Sequence, residues 1–115
     1  MTERLDPDML RGSIDLLVLS VLLDGKKYGY LIQQRLAHAS GDMVRIQAGT
    51  LYPLLHRLEA AGLIQSTSEE TTGRRRKWYE LTAKGRRRLE KQAAQWNRLA
   101  DCLQGLLRPV LEGAG

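Results

Sequence analysis

The chain has 115 residues, the length of a single domain with a core of its own. No apolar run approaches the roughly 20 residues that a membrane span needs, and the single cysteine excludes an internal disulfide. The N-terminal residues include acids and no apolar stretch, so we expect no signal peptide and a location in the reducing cytoplasm.

Two helices are predicted in the first third of the chain. Residues 11–24 form a helix that is apolar over most of its circumference, which indicates burial on more than one side. Residues 30–39 carry apolar side chains at helical spacing, and Ser40-Gly41 ends that helix.

The third predicted helix lies in the segment AGTLYPLLHRLEAAGLI and has one apolar stripe, formed by Leu51, Leu54, Leu55 and Leu58. Pro53 is tolerable if the helix begins a few residues before it, because first-turn amides have no intrahelical partner. Gly62 follows as the residue that stops the helix. The opposite face is small and polar toward its N-terminal end, which suits close approach to another molecule.

A basic hairpin is predicted next. Residues 63–69 and 77–82 are expected to be strands around a turn at Thr72-Gly73. Residues 70–91 contain nine Lys or Arg and three Glu, a net charge of +6, whereas the whole chain carries +5. So concentrated a positive field favours a polyanion, in most cases nucleic acid, although a merely solvated basic face stays open.

A long helix over residues 83–107 is predicted to begin at the N-cap Thr82 and to end at Pro109, with a disordered tail over residues 110–115. Gly85 in its first turn is expected to cost the helix about 1 kcal/mol relative to alanine. The spacing of its apolar residues is typical of a helix that packs on another helix, and the seam comprises Leu89, Ala93, Trp96, Ala100, Leu103 and Leu107. So much apolar surface on a small domain predicts a two-fold homodimer.

The order of these elements predicts a mostly α fold with a β-hairpin wing. Residues 1–82 would form a winged helix-turn-helix with an N-terminal helix, and residues 83–109 a C-terminal dimerisation helix. In a helix-turn-helix the recognition helix enters the major groove of double-stranded DNA with its N-terminal residues nearest the bases. Gly49 and Thr50 would let the backbone approach phosphate.

Two side chains of the third helix have alternative interpretations. Tyr52 and His56 would contact base edges or sugars; alternatively Tyr52 is half-buried packing and His56 an idle surface residue. The cations of the wing would neutralise phosphates or enter a narrow minor groove, and they are Arg74, Arg75, Arg76 and Lys77.

Trp96 lies in the middle of the seam. It either anchors a packed interface or stacks a small planar aromatic ligand between two copies, and Met9 would add an apolar wall if its segment folds back. With two histidines and one cysteine, no spacing resembles a zinc site. No phosphate loop or activated nucleophile is present, so we expect no metal, cofactor or catalysis.

Over residues 10–107 the chain resembles the PadR family of transcriptional regulators, through the segments YGYLIQQ, GTLYPLLHRLEAAGLI and GRRRKWYELTAKGRRRL. The resemblance implies a dimeric repressor that binds an inverted repeat and releases it on sensing a compound. It also implies DNA contacts from Tyr28, Thr50, Tyr52 and the run Arg74 to Lys77.

The short C-terminal helix is similar to that of the small subfamily, in whose multidrug-binding branch a central tryptophan stacks planar drugs. This resemblance implies a ligand pore lined by Met9, Leu16, Gln92, Ala93 and Trp96. The small residues Ala93 and Ala100 occupy positions where the resemblance implies bulkier or acidic side chains in the wall of the pore. Asp15 is the only nearby acid that could take the place of such an acidic side chain.

Two rival functions stay open. A winged helix can also serve as a protein-interaction adaptor that does not recognise DNA sequence, and a small enzyme would require a polar cleft that the sequence does not indicate.

Overall fold

The computed structural model describes residues 13–71 and 73–113, which form four helices and a three-stranded antiparallel sheet. The helices are α1 (Ile14–Val21), α2 (Gly29–Ala39), α3 (Ala48–Ala60) and α4 (Ala83–Leu111). The strands are β1 (Lys27–Tyr28), β2 (Ile64–Thr71) and β3 (Arg74–Leu81). This is the predicted winged helix-turn-helix with a long C-terminal helix, and β2 and β3 form the wing.

The core lies between the first three helices, the base of the wing and the start of α4. Its most fully buried large side chains are Leu19, Ile32, Leu51, Leu55 and Ile64. The predicted leucine stripe of α3 is confirmed, since each of its four members is 3% exposed or less. Because that stripe faces the core, the opposite face of α3 is turned toward solvent.

A third strand, β1, was not predicted. It pairs with β3 through Lys27↔Tyr79 and Tyr28↔Trp78, so the strand order is β1-β3-β2. The Lys27 ammonium is buried and donates hydrogen bonds to the Asp24 carboxylate and to the Gly25 carbonyl, and its hydrogen bond and charge lower the pKa of Asp24. A strand of two residues is too short to produce a period-two pattern in the sequence.

The wing strands are longer than predicted. They pair from Ile64↔Leu81 to Thr71↔Arg74, so β3 begins at Arg74 and not at Lys77. The three arginines, which were predicted to precede the strand, therefore lie within it, and with Lys77 they alternate between its two faces. The signal was missed because this part of both strands is polar throughout and shows no apolar alternation.

The start of α4 confirms the predicted cap. The Gly85 amide donates to the Thr82 hydroxyl oxygen at 3.0 Å, and the hydroxyl donates to the Gly62 carbonyl at 2.6 Å. The expected penalty for Gly85 is wrong in sign, since a Cβ at this position would overlap the carbonyl oxygen of Leu63. The first turn of α4 lies so close to the backbone of Leu63 that only glycine fits at residue 85.

Helix α4 ends at Leu111, four residues beyond the predicted helical stretch and two beyond Pro109, the predicted stop. Pro109 lies inside the helix, which continues to Leu111, so Val110 and Leu111 do not belong to a tail. A proline removes its own amide donor but not those that follow it. The Glu112 amide accordingly donates to the Arg108 carbonyl at 2.9 Å and closes the helix.

The distal part of α4 projects from the core. The helix has 29 residues, a length of about 43 Å. Its first part packs into the core through Leu89, which is 4% exposed. The radius of gyration, 16.5 Å, exceeds the roughly 13 Å expected for a compact domain of this size, which is consistent with a projecting helix.

Candidate nucleic-acid interface

The solvent-facing side of α3 is the first part of the candidate interface. Gly49, Thr50, Pro53 and His56 are all exposed there. Pro53 lies five residues after the first residue of α3, so the Gly49 carbonyl lacks the amide that would bond to it in a regular helix. The N-terminal half of α3 thus presents small side chains and an accessible backbone, which permits close approach to a phosphate or a base edge.

Tyr52 is partly packed and partly accessible. Its hydroxyl rests against Gly29, the first residue of α2, so closely that a Cβ on Gly29 would overlap it. The side chain is nevertheless 41% exposed. Tyr52 therefore joins the two helices of the helix-turn-helix while part of its ring stays accessible from the outer side of α3.

The outer face of the wing carries a row of stacked aromatic and cationic groups. Tyr28 caps α2 in an extended conformation, and its ring meets that of Trp78 edge-on, with ring centroids 5.1 Å apart. The Arg76 guanidinium lies 4.1 Å from the centroid of Tyr28, and the Lys26 ammonium lies 5.3 Å from that of Trp78. Such cation–π contacts restrict the orientation of Arg76 without neutralising its charge.

Acidic residues lie opposite two of the wing arginines. The register places Glu69 opposite Arg76 and Glu70 opposite Arg75. Directly opposed side chains in an antiparallel pair are neighbours, so each acid reduces the positive potential around its partner. The sequence-based charge window began at Glu70 and therefore omitted Glu69, which makes the wing less positive than the window indicated.

The inner face of the wing turns toward α3. The Lys77 ammonium lies 3.9 Å from a carboxylate oxygen of Glu59 and 5.7 Å from the ring centroid of Tyr79. Glu59 also accepts a hydrogen bond from the Ser66 hydroxyl on β2. Burial raises the pKa of Tyr79, and the negative charge of Glu59 raises it further, as does Tyr52. Lys77 thus has a different environment from the three arginines before it.

A groove of about 350 Å³ lies between α1 and α4, and its lining includes four of the residues predicted to bind a ligand, namely Asp15, Leu16, Gln92 and Trp96. Arg57 of α3 also lines it and pairs with Asp15 at 3.4 Å. The side-chain oxygen of Gln92 is buried and has no hydrogen-bond partner in the described structure. Ala93 is exposed on α4 but is not part of the lining, and Met9 lies outside the described residues.

The predicted seam of α4 divides into two parts. Leu89 belongs to the core of its own chain, whereas Trp96, Leu103 and Leu107 are 42–48% exposed. Ala93 is exposed and Ala100 half-buried beside them. The prediction omitted several exposed apolar side chains of the same helix, which are Leu99, Leu106, Val110 and Leu111.

Other chemistry finds little support in the described residues. They contain no group of three or more His, Cys, Asp or Glu that could hold a metal ion, and Cys102 is exposed. None of the described helices combines the length and the apolar character that crossing a membrane requires.

Comparison with known proteins identifies the family. Residues 18–91 match the model of the transcriptional regulator PadR-like family. The chain is 36% identical over 103 residues to the transcriptional regulator Rv3488 of Mycobacterium tuberculosis. The aligned region covers 90% of this chain and 87% of that protein.

Solved structures of transcriptional regulators have the same fold. A PadR family transcriptional regulator from Eggerthella lenta superposes with a TM-score of 0.78 at 39% identity, covering 87% of this chain and 86% of that one. A transcriptional regulator from Clostridium thermocellum superposes with a TM-score of 0.81 at 30% identity, covering 88% and 96%. The chain belongs to the PadR-like family of transcriptional regulators and is a DNA-binding regulator, not an enzyme.

Proposed function

We propose that the protein is a homodimeric, sequence-specific repressor that binds an inverted-repeat operator. The observation that carries the proposal is the division of α3 into a fully buried leucine face and an exposed face with small and polar side chains. In the major groove, Gly49 and Thr50 would approach the backbone, and Tyr52 and His56 would contact bases or sugars. Tyr28 would contact the backbone from the start of α2.

The wing arginines would supply most of the electrostatic affinity. Arg74, Arg75 and Arg76 are exposed and form no ion pair with another described residue. Each is available to a phosphate or to a narrow minor groove, where displaced counterions favour binding. Arg76 has the best-defined position of the three, since it is stacked on Tyr28.

The second copy would pack on the projecting part of α4. Its exposed apolar residues include Trp96, Leu99, Leu103, Leu106 and Val110, with alternate spacings of three and four residues. This is the repeat of a helix that packs on another helix. A two-fold axis through the seam would present two copies of α3 to half-sites about one turn of DNA, roughly 34 Å, apart.

The groove beside Trp96 is the proposed site of a small planar aromatic effector. Trp96 would stack the ligand and Leu16 would contact its edge, while the buried oxygen of Gln92 could accept a hydrogen bond from it. Asp15 is already paired with Arg57, which disfavours a cationic ligand. Ala93 would line the same space in the dimer, and Met9 would add an apolar wall if its segment folds back toward the seam.

DNA binding can be tested with a fluorescently labelled duplex from the region upstream of this gene. We expect anisotropy to show a preference of at least about a thousandfold over a scrambled duplex. Equal affinity for the two duplexes would contradict sequence-specific regulation and favour the adaptor function. Derepression of a reporter gene in cells lacking the protein tests repression itself.

The effector site can be tested with the fluorophore 1-anilinonaphthalene-8-sulfonate, whose naphthalene ring is planar and aromatic. We expect its fluorescence emission to rise when wild-type protein is added and to stay unchanged when the Trp96→Ala variant is added. Both proteins retain Trp78, so the difference between them reports on Trp96. An equal response of the two proteins would place the fluorophore elsewhere and contradict the proposed groove.

A further inference from the structure

Glu59 contacts both strands of the wing from the last turn of the recognition helix. It accepts a hydrogen bond from the Ser66 hydroxyl on β2 and lies 3.9 Å from the Lys77 ammonium on β3. Its side chain is 33% exposed and that of Lys77 is 44% exposed. The sequence separations are 7 and 18 residues, so these contacts depend on the fold and have no signature in the sequence.

This arrangement lies where the wing leaves the core. Ser66 is opposite the buried Tyr79, and beyond it the pairs from Thr67↔Trp78 outward involve mostly exposed side chains. A two-stranded hairpin alone is at best marginally stable in water. The contacts with Glu59 therefore connect the wing to α3 at the last position before the strands lose the support of the core.

We propose that Glu59, Ser66 and Lys77 form a wing anchor that fixes the orientation of the wing relative to α3. In this account Lys77 is a positioning residue and does not contact a phosphate. Its ammonium points along the inner face of the wing toward Glu59 and the ring of Tyr79, whereas Arg74 and Arg76 lie on the outer face and Arg75 forms no ion pair. The inference rests on the proposed binding of a specific operator.

The anchor should increase the difference in affinity between the operator and random-sequence DNA. In a specific complex α3 and the wing must contact the duplex at the same time, so an orientation fixed in advance lowers the entropy lost on binding. Non-specific complexes depend almost entirely on phosphate contacts and tolerate many orientations. Loss of the anchor should thus weaken operator binding more than binding to random sequence.

The test compares Lys77→Met with Arg75→Met, which remove the same charge from neighbouring positions on the same face of β3. Affinities for the operator and for a scrambled duplex are measured by anisotropy over a salt series. Arg75→Met should weaken both complexes alike and reduce the salt slope by about two, since a dimer carries two copies.

Lys77→Met should leave the salt slope unchanged. It should weaken operator binding roughly tenfold, as expected from losing one exposed ion pair in each copy, and should weaken random binding less than about twofold. A decrease of the slope equal to that of Arg75→Met, with both complexes weakened alike, would overturn the proposal and make Lys77 a phosphate contact.

The exchanged pair Glu59→Lys with Lys77→Glu keeps the net charge and provides the second readout. Each single change should lower discrimination between the two duplexes, and the double variant should restore it, a coupling that only interacting residues show. Circular dichroism confirms that each variant is folded.

Absence of recovery in a folded double variant would contradict the anchor. If the wild type itself does not prefer the operator, the proposed function fails. The anchor is then judged on random duplex, where an unchanged slope in Lys77→Met supports it and a reduced slope contradicts it.

Discussion

Two parts of the molecule project from the core, the wing and the distal half of α4, and they differ in chemistry. The outer half of the wing has charged or polar side chains on both faces, including Arg74, Arg75 and Arg76. The distal half of α4 presents a continuous apolar stripe, with Leu106 72% and Val110 78% exposed. A charged projection is suited to a polyanion and an apolar one to another protein surface, so each projection indicates its own partner.

The largest expected effect is a difference in salt dependence between operator binding by the wing and dimerisation through α4. Six arginine contacts in a dimer predict that operator affinity falls about a thousandfold between 50 and 200 mM salt. Dimerisation through an apolar seam should change only slightly, since burial of apolar surface is not screened. Anisotropy and sedimentation equilibrium measure the two constants. If salt dissociates the dimer as strongly as it dissociates the DNA complex, the assignment of one partner to each projection is contradicted.

A charge within the apolar stripe of α4 should disrupt dimerisation directly and operator binding only through the loss of the dimer. We expect Leu103→Glu to weaken dimerisation at least about a hundredfold, because each interface would bury two unpaired carboxylates. Operator binding should weaken with it. Gln104→Glu introduces the same charge at the next exposed position and should have little effect, as measured by light scattering. Equal behaviour of the two variants would exclude this seam.

The base of α4 offers a matched pair of glycines. Gly85→Ala should destabilise the fold by about 2 kcal/mol, because the added Cβ would overlap the Leu63 carbonyl and force the helix outward. Gly105→Ala has open space and should stabilise the fold by up to about 1 kcal/mol. Urea unfolding at one protein concentration gives both values. A neutral Gly85→Ala would show that α4 is not held so closely.

The smallest effect concerns the cap between the wing and α4. Thr82→Ala removes the acceptor for the Gly85 amide and the donor to the Gly62 carbonyl, and should cost about 1 kcal/mol. Thr82→Ser keeps both hydrogen bonds and should cost much less. Equal losses in the two variants, read from their thermal midpoints, would mean that the methyl group matters more than the hydroxyl.

Features with a local physical cause could be predicted from the sequence. The leucine stripe of α3 follows from helical periodicity, and the cap at Thr82 follows from its position before a helix. Gly62 has a φ of +77°, which agrees with its predicted role in ending α3. In each case residues close in sequence determine the outcome, so a short segment contains the necessary information.

Features that depend on distant contacts could not be predicted. Helix propensity alone makes Gly85 unfavourable, whereas the Leu63 carbonyl beside it leaves no room for a side chain. The pairing of Lys77 with Glu59 depends on how the wing folds back on α3. The arginine run resembled a turn because its partners on β2 are polar. The spacing that includes Leu99 and Leu106 was present in the sequence, and a full heptad assignment would have found it.

Hydrogen exchange with and without the operator duplex tests the assignment of the two projections most directly. A helix end that projects without support frays, so a dimer predicts that residues 96–110 are protected in the free protein and unchanged by DNA. Residues 48–57 and 74–76 should gain protection only with the operator. Protection of residues 96–110 that appears only with DNA, or a wing whose exchange DNA does not alter, would contradict the account.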